Sequence, residues 1–355
     1  GEAAAETLTP ARLPEPPKVA PETLSKAVTA LRSGRKTAIF LGGRALRADA
    51  LEIAGRIAAG TGAVLFTERA ARWQRGAGRV SPRPVPYNIE QAVAALHGFQ
   101  TAICIGGRTP VGFFAYPGKP GFLLPESCDV IELAGVEHDL LAVLEALADG
   151  IGPQFLASPI VSGFTARDLA APTGALTAEA VSVAVARSLP EGAIICDEAI
   201  TSAGRFAELA PTMAPHDHLP LTGGSIGIGI PLATGAAVAC PDRKVVALQA
   251  DGSGMYTVQG LWTQARENLD VLTIVFSNRG YSILKGEMRN VGVNDFGDNA
   301  RRMLEIDEPA LDWCSLARGM GVDAARAETA EEFTRLLEAN LSRRGAFLIE
   351  AVIPG

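Results

Sequence analysis

Short apolar runs alternate with amphipathic stretches along most of this chain. A helical pattern over 21–33 leads into TAIFLGG (37–43), another over 48–59 into AVLFT (63–67), and a third over 89–97 into TAICIGG (101–107). DVIEL (129–133) and a helical pattern near 137–148 follow. Apolar strands separated by amphipathic helices predict a parallel sheet covered on both faces. The stretch 151–175, with Pro153, Pro159 and Pro172, lacks sustained periodicity and reads as a linker. A second alternation then begins: a helix at 177–188, the strands AIICDE (193–198) and VVALQAD (245–251), a helix at 258–267 and the strand VLTIVFSN (271–278). Helices near 310–319 and 330–342 and the strand FLIEAVI (347–353) complete it. The pattern predicts an α/β protein with two doubly wound parallel-sheet domains, a Rossmann-like one at 21–150 and a second at 176–355. Residues 1–20, rich in Ala, Pro and Glu, read as an interdomain linker.

Length agrees with two domains, since 355 residues exceed the usual size of one. A net charge of −7 with no basic patch argues against a nucleic-acid or anionic-membrane partner. The five cysteines (Cys104, Cys128, Cys196, Cys240, Cys314) are scattered and form no CxxC pair, which indicates a reducing cytoplasm. No apolar run has the length of a membrane helix, and no signal peptide is visible.

The candidate chemistry lies in the second alternation. Doubly wound sheets bind ligands at the carboxyl ends of their strands. Asp251, Gly252 and Ser253 directly follow one apolar strand, and Asn278 ends the next, one crossover later. A carboxylate and an amide oxygen thus reach the same sheet edge, a hard oxygen set suited to Mg²⁺ shared with phosphates. Gly280 lets the backbone turn closely enough for its carbonyl to join them. Upstream, LTGGSIGIGIP (221–231), containing Gly224, Ser225 and Ile226, is a glycine-rich turn entering a helical run. Such a turn allows close approach to an anionic ligand. Thr201 and Ser202 follow AIICDE at a helix start, where they can hydrogen-bond a phosphate.

These residues resemble the signature of the thiamine-diphosphate decarboxylase and carboligase family, which includes acetolactate synthase and benzoylformate decarboxylase. That signature is GDG followed, one crossover later, by paired asparagines; here its first Gly is Ala250 and its first Asn is Ser277. The likeness runs from about Leu176 to the C-terminus, and GFFAYPGKPGFLLPE (112–126) resembles the middle domain of acetolactate-synthase-like proteins. The resemblance implies a thiamine-diphosphate-binding fold at 176–355 and a metal-binding set of Asp251, Asn278 and the Gly280 carbonyl. It places Thr201, Ser253 and Tyr281 on the diphosphate, the Gly224 carbonyl on the aminopyrimidine, and Ile226 beneath a bent cofactor. The implied chemistry is that of a lyase or transferase acting on a 2-keto acid, by decarboxylation or acetolactate-synthase-like carboligation, with the cofactor as electron sink. It also implies that the activating glutamate lies on a pyrimidine-binding domain outside this sequence, in a companion chain or removed segment, within a homo- or hetero-oligomer. The isolated chain is then expected to be inactive.

Blander readings stand beside these. A catalytically silent paralogue would keep the same cofactor-binding residues. The glycine turn could cradle a dinucleotide, but no acidic residue ends a following strand where a ribose would need it. Gly42-Gly43 and Gly106-Gly107 are ordinary for doubly wound sheets, and FAD there is the lesser alternative because the glycine and basic pattern is sparse. His216 and His218 alternate on an extended segment, as a metal pair or, preferably, as surface polarity or substrate-side groups. Lys285, Glu287 and Arg289 follow the metal loop and either line the substrate entrance or form a solvated helix face. Asp197 and Glu198 at a strand end read as structural hydrogen-bonding groups.

Overall fold

The computed structural model describes residue 12, residues 14–163 and residues 165–355. Most of the expected linker at 1–20 therefore lies outside the described residues. The rest forms two sheets with helices on both faces.

The first sheet contains β1 (Thr37–Leu41), β2 (Val64–Thr67), β4 (Arg83–Pro84), β5 (Thr101–Ile105) and β6 (Asp129–Ala134), in the order β4-β2-β1-β5-β6. All its pairings are parallel. The central strands β1 and β5 are buried at every position, which explains their unbroken apolar sequence. Helices Pro21–Arg32, Ala48–Thr61 and Leu140–Ile151 pack on one face around Leu51, Ile57, Leu144 and Leu147. Ile89–Leu96 packs on the other with Phe40, Phe66 and Phe99. Residues 151–175 contain two short 3₁₀ turns, Pro153–Phe155 and Ala166–Asp168, beyond the end of the preceding helix.

The second sheet has the order β11-β12-β10-β9-β7-β8-β3. Its strands are β3 (Trp73–Arg75), β7 (Ile194–Glu198), β8 (His216–Pro220), β9 (Val245–Ala250), β10 (Val271–Ser277), β11 (Asp323–Ala327) and β12 (Phe347–Val352). Six of the seven run parallel; β3 pairs antiparallel with β8. From β7 the chain moves outward to β8, then returns to β9 on the opposite side of β7. The switch point of the winding, where such sheets open a crevice, therefore lies between β7 and β9.

Strand β3 does not follow the sequence division. It belongs to the N-terminal alternation, and Trp73 packs in the first core, yet its backbone extends the second sheet. Arg75 is also buried there, with its guanidinium 4.0 Å over the Trp73 ring and donating to the Ala207 carbonyl. Burial lowers the Arg75 pKa to about 9. This strand is one fastening between the two units.

Candidate active site

Four neighbouring strands, β10, β9, β7 and β8, deliver every candidate site residue to one sheet edge. Register fixes the central pair: Ala250 on β9 lies opposite Phe276 on β10, so Asp251 and Asn278 leave adjacent strand ends. Asp251 is 2% exposed. Its Oδ1 accepts from the Gly252 amide at 2.8 Å, and its Oδ2 accepts from the Arg279 amide at 2.6 Å. The backbone of the turn after β10 is thus tied directly to this carboxyl. Desolvation pushes the Asp251 pKa up to about 6, against the opposing pull of those amides. Among the described residues, no cationic side chain pairs with Asp251. Both oxygens of this buried carboxyl are therefore satisfied by backbone amides alone.

Asn278 sits beside it, its Oδ1 accepting from the Gly280 amide at 3.2 Å and its Nδ2 donating to Ser282 at 2.9 Å. Between them Arg279 takes φ 56°, a left-handed conformation uncommon outside glycine. The turn is held from outside: the Tyr281 amide donates to the Leu304 carbonyl and the Ile306 amide to that of Arg279. Gly252 admits no side chain, because a Cβ there would lie 2.4 Å from the Tyr281 ring. Ser253 is buried, with Oγ accepting from Gln249 Nε2 at 2.8 Å.

The glycine turn after β8 is held by Glu198, at the end of β7. Glu198 is 1% exposed; one carboxyl oxygen accepts from the Gly227 amide at 2.5 Å and the other from Gly229. Thr257 Oγ1 donates to the Gly227 carbonyl at 2.7 Å. Gly223 and Gly224 take φ 67° and 69°, accessible to glycine at no steric cost. Ile226, immediately before the anchored Gly227, remains 44% exposed, so its side chain is available beside the turn rather than consumed in the core. On the other flank, Thr201 is exposed and Ser202 half-buried, just after Ile200 at φ 54°. A β-branched residue in that region is an outlier, and outliers cluster at functional sites. The sequence carried no signal for the Ile200 or Arg279 conformations.

His216 and His218 require a correction. Both are buried on one face of β8, so surface polarity does not describe them. His218 Nδ1 accepts from Trp73 Nε1 at 3.1 Å, leaving Nε2–H to donate to Asp197 at 3.3 Å. His216 Nδ1 bonds the Ala214 carbonyl at 2.8 Å. Burial lowers the pKa of both rings, to about 3 for His216. They brace the β7–β8–β3 side of the sheet beneath the site.

Sequence reasoning missed a contact between the two units. Tyr87 and Tyr116 of the N-terminal unit donate their hydroxyls to the two oxygens of Glu287, at 3.1 and 2.5 Å. Glu287 lies on the helix Ser282–Asn290, immediately after the turn that carries Asn278 and Gly280. Lys285 on that helix pairs with Glu305 at 2.7 Å, and Arg289 stacks over Phe296. GFFAYPG was legible only as a resemblance, because nothing in one dimension pairs residue 116 with residue 287.

Two concavities lie away from this edge. One of about 390 Å³ is lined by Gly192, Arg243, Lys244, Asp270 and Arg343, at the amino ends of the strands. The other, about 640 Å³, lies beside the helix Ile89–Leu96. Neither contains a candidate site residue.

Comparison with known proteins agrees with the geometry. Residues 201–351 match the family model described as the thiamine pyrophosphate enzyme, C-terminal TPP binding domain. A Mycobacterium tuberculosis protein named "Putative acetolactate synthase large subunit IlvX" is 42% identical over 97% of this chain. A benzoylformate decarboxylase of Pseudomonas aeruginosa is 28% identical over 75% of it. The chain spans 66% and 51% of those two relatives. Among solved structures, a Rhodococcus jostii RHA1 thiamine diphosphate-dependent 4-hydroxybenzoylformate decarboxylase matches 99% of this chain and 66% of its own, with TM-score 0.76 and 23% identity. Benzoylformate decarboxylase from Polynucleobacter necessarius covers 99% of this chain and 68% of its own, with TM-score 0.72 and 20% identity. At such identity the two structures speak for the fold alone. The family match over 201–351, the 42% relative and the shared fold converge: this chain belongs to the thiamine-diphosphate-dependent enzyme family.

Proposed function

We propose that this chain provides the diphosphate- and metal-binding part of an enzyme that makes or breaks a C–C bond beside the carbonyl of a 2-oxo acid. The observation that carries this reading is Asp251, a buried carboxyl with no cationic partner among the described residues, hydrogen-bonded to the Arg279 amide of the neighbouring turn. In this reading Asp251, the Asn278 side-chain oxygen and the Gly280 carbonyl hold Mg²⁺. Thr201, Ser202, Ser253 and Tyr281 face the diphosphate, and Gly252 gives it room. The Gly224 carbonyl accepts from the aminopyrimidine, and Ser225 and Ile226 bear on the cofactor from the turn that Glu198 fixes.

Thiamine diphosphate, when bound, would supply the electron sink for C–C bond cleavage or formation beside the carbonyl. The chain's own contribution would be to fix orientation: strand ends would hold the metal and phosphate groups, and the anchored turn would keep Ser225 and Ile226 in place beside the cofactor. The reading covers a decarboxylase (lyase) and an acetolactate-synthase-like carboligase (transferase). It includes an activating glutamate on a pyrimidine-binding unit outside the two sheets described, brought to the site in an oligomer. Five unpaired cysteines support a reducing, cytoplasmic setting, and among the described residues no helix is long and apolar enough to cross a membrane.

Calorimetric titration of thiamine diphosphate into the purified chain, with and without Mg²⁺, tests this directly. Mg²⁺-dependent binding that Asp251→Ala abolishes while the circular dichroism spectrum is unchanged is the expected result. Equal affinity in wild type and variant would refute the metal assignment.

A further inference from the structure

Strand β3 comes from the first unit, yet its side chains reach the turn that carries Thr201 and Ser202 from both ends. The first reach is a buried chain of hydrogen bonds. Trp73 Nε1 donates to His218 Nδ1 at 3.1 Å, His218 Nε2 donates to Asp197 Oδ2 at 3.3 Å, and Asp197 Oδ1 accepts from the Ala199 amide at 3.1 Å. The second reach is direct. Arg75 Nη2 donates at 2.8 Å to the Ala207 carbonyl, on the helix Gly204–Leu209 that follows the turn. Phe206 of that helix packs against the His218 ring, their centroids 5.8 Å apart.

The chain has a fixed direction. An indole nitrogen only donates, and Arg75 Nη1 also faces His218 Nδ1, at 3.5 Å. Nδ1 is therefore the acceptor, and the ring proton sits on Nε2, where it points at Asp197. The Asp197 backbone takes part as well: its carbonyl accepts from the Leu221 amide at 2.9 Å, where the glycine-rich turn begins. Trp73, Arg75 and His218 are all buried. For packing alone, apolar groups of the same shape would serve at least as well, since burying polar atoms carries a desolvation cost. What the network adds is orientation. The segment it orients needs it, because Ile200 takes φ 54° and a β-branched residue leaves that region unless its flanks are fixed. The Ser202 amide closes the turn on the Ala199 carbonyl at 2.9 Å, so a fixed Ala199 also fixes Ser202.

Resting on the function proposed above, we infer that Trp73 and Arg75 are positioning residues for the diphosphate end of the cofactor. Acting through His218, Asp197 and the Ala207 carbonyl, they hold Thr201 and Ser202 in the geometry that receives it. Neither touches the cofactor itself. The first unit thereby governs how tightly the diphosphate is held, although every residue proposed to contact it lies on the second. Asp251 and Asn278 leave the ends of β9 and β10, on the other side of the switch point, and β3 has no pairing with either strand. Loss of the β3 contacts therefore loosens one flank of the site and leaves the other in place.

Two variants of the full chain test this. Trp73→Phe removes the donor that starts the hydrogen-bond chain and keeps an aromatic ring in the core. Asp197→Asn breaks it further along at almost constant volume, because the new NH₂ group must face either His218 Nε2–H or the Ala199 amide. Amide hydrogen exchange read by mass spectrometry should show protection falling across 199–207 in both variants and holding across 245–254 and 271–277. In calorimetry with Mg²⁺, thiamine diphosphate should bind each variant roughly three- to tenfold more weakly, the scale of one hydrogen bond to the ligand. A merely structural role would lower affinity whether or not Thr201 and Ser202 were present, so a double-mutant cycle decides the matter. In a Thr201→Ala/Ser202→Ala background the effect of Trp73→Phe on affinity should all but vanish. A full effect in that background, or unchanged protection across 199–207, overturns the inference. So does wild-type affinity in a variant whose turn has lost protection. A thermal melt checks that each variant keeps its fold; should Trp73→Phe unfold, Asp197→Asn carries every measurement, the cycle included. Failure of thiamine diphosphate to bind the wild-type chain would instead overturn the functional reading, and the exchange pattern would by itself decide whether β3 holds the turn.

Discussion

Replacing Glu198 with alanine isolates the device that shapes the cofactor edge. The wild-type side chain is 1% exposed and its two oxygens accept from the Gly227 and Gly229 amides, both buried. Alanine leaves two buried N–H donors without a partner. Each such donor costs about 1–3 kcal/mol, so the pair costs about 2–6 kcal/mol. A water admitted to the vacated space would recover part of this, which places the expected loss near the lower half, about 2–4 kcal/mol. Glu198→Gln keeps one acceptor oxygen but turns an amide NH₂ toward the other donor, and should fall between alanine and wild type. Urea denaturation followed by circular dichroism measures the loss as a shift in midpoint at constant slope. Thiamine diphosphate affinity should fall as well, since Ile226 and the Gly224 carbonyl lose their fixed position. Thr257 holds the Gly227 carbonyl independently, so the turn is expected to loosen rather than disappear. An alanine variant within about 0.5 kcal/mol of wild type would show that the two amides find other partners, and the anchoring argument would fail.

Other outcomes follow from the same geometry. His216 is neutral in the fold because burial, aided by His218, Arg75 and Arg79, lowers its pKa from 6.5 to about 3. The unfolded chain therefore binds the extra proton first, so His216 contributes stability above pH 6.5 that is lost as pH falls toward 3, by up to about 1.4 kcal/mol per pH unit. His216→Phe should flatten the acid limb of a stability-versus-pH curve; curves that stay parallel would contradict the assignment. Gly252→Ala places a methyl group 2.4 Å from the Tyr281 ring, which must shift. A loss of about 1–3 kcal/mol is expected in denaturant titration, with weaker cofactor binding by calorimetry. An unchanged midpoint would mean that Tyr281 moves freely.

What could be read from the sequence follows the length scale of each cause. Strands β1, β5, β9 and β10 were legible because each is buried on both faces and so carries a predominantly apolar run. That Asp251, Asn278 and the 221–231 turn come to one sheet edge was legible because parallel sheets bring successive strand ends together, and both lie in local patterns. Strand β11 escaped notice because its sequence, DAARA, is that of a charged edge strand with one fully buried position. Strand β3 escaped for a different reason. Its WQR sequence gives no strand signal, and its partner β8 lies about 140 residues away, as the Trp73–His218 pairing shows. The same distance in sequence hid the Glu287 clasp, which joins residues 171 and 200 positions apart. Both missed features are fastenings between the two units. The first unit thus reaches the helix after the Asn278–Gly280 turn through Glu287, while β3 braces the sheet beneath. The residues proposed to hold the cofactor sit at strand ends and are placed locally, whereas the contacts that join the two units come from residues far apart in sequence. That division is why the sequence points to a cofactor far more sharply than to a substrate.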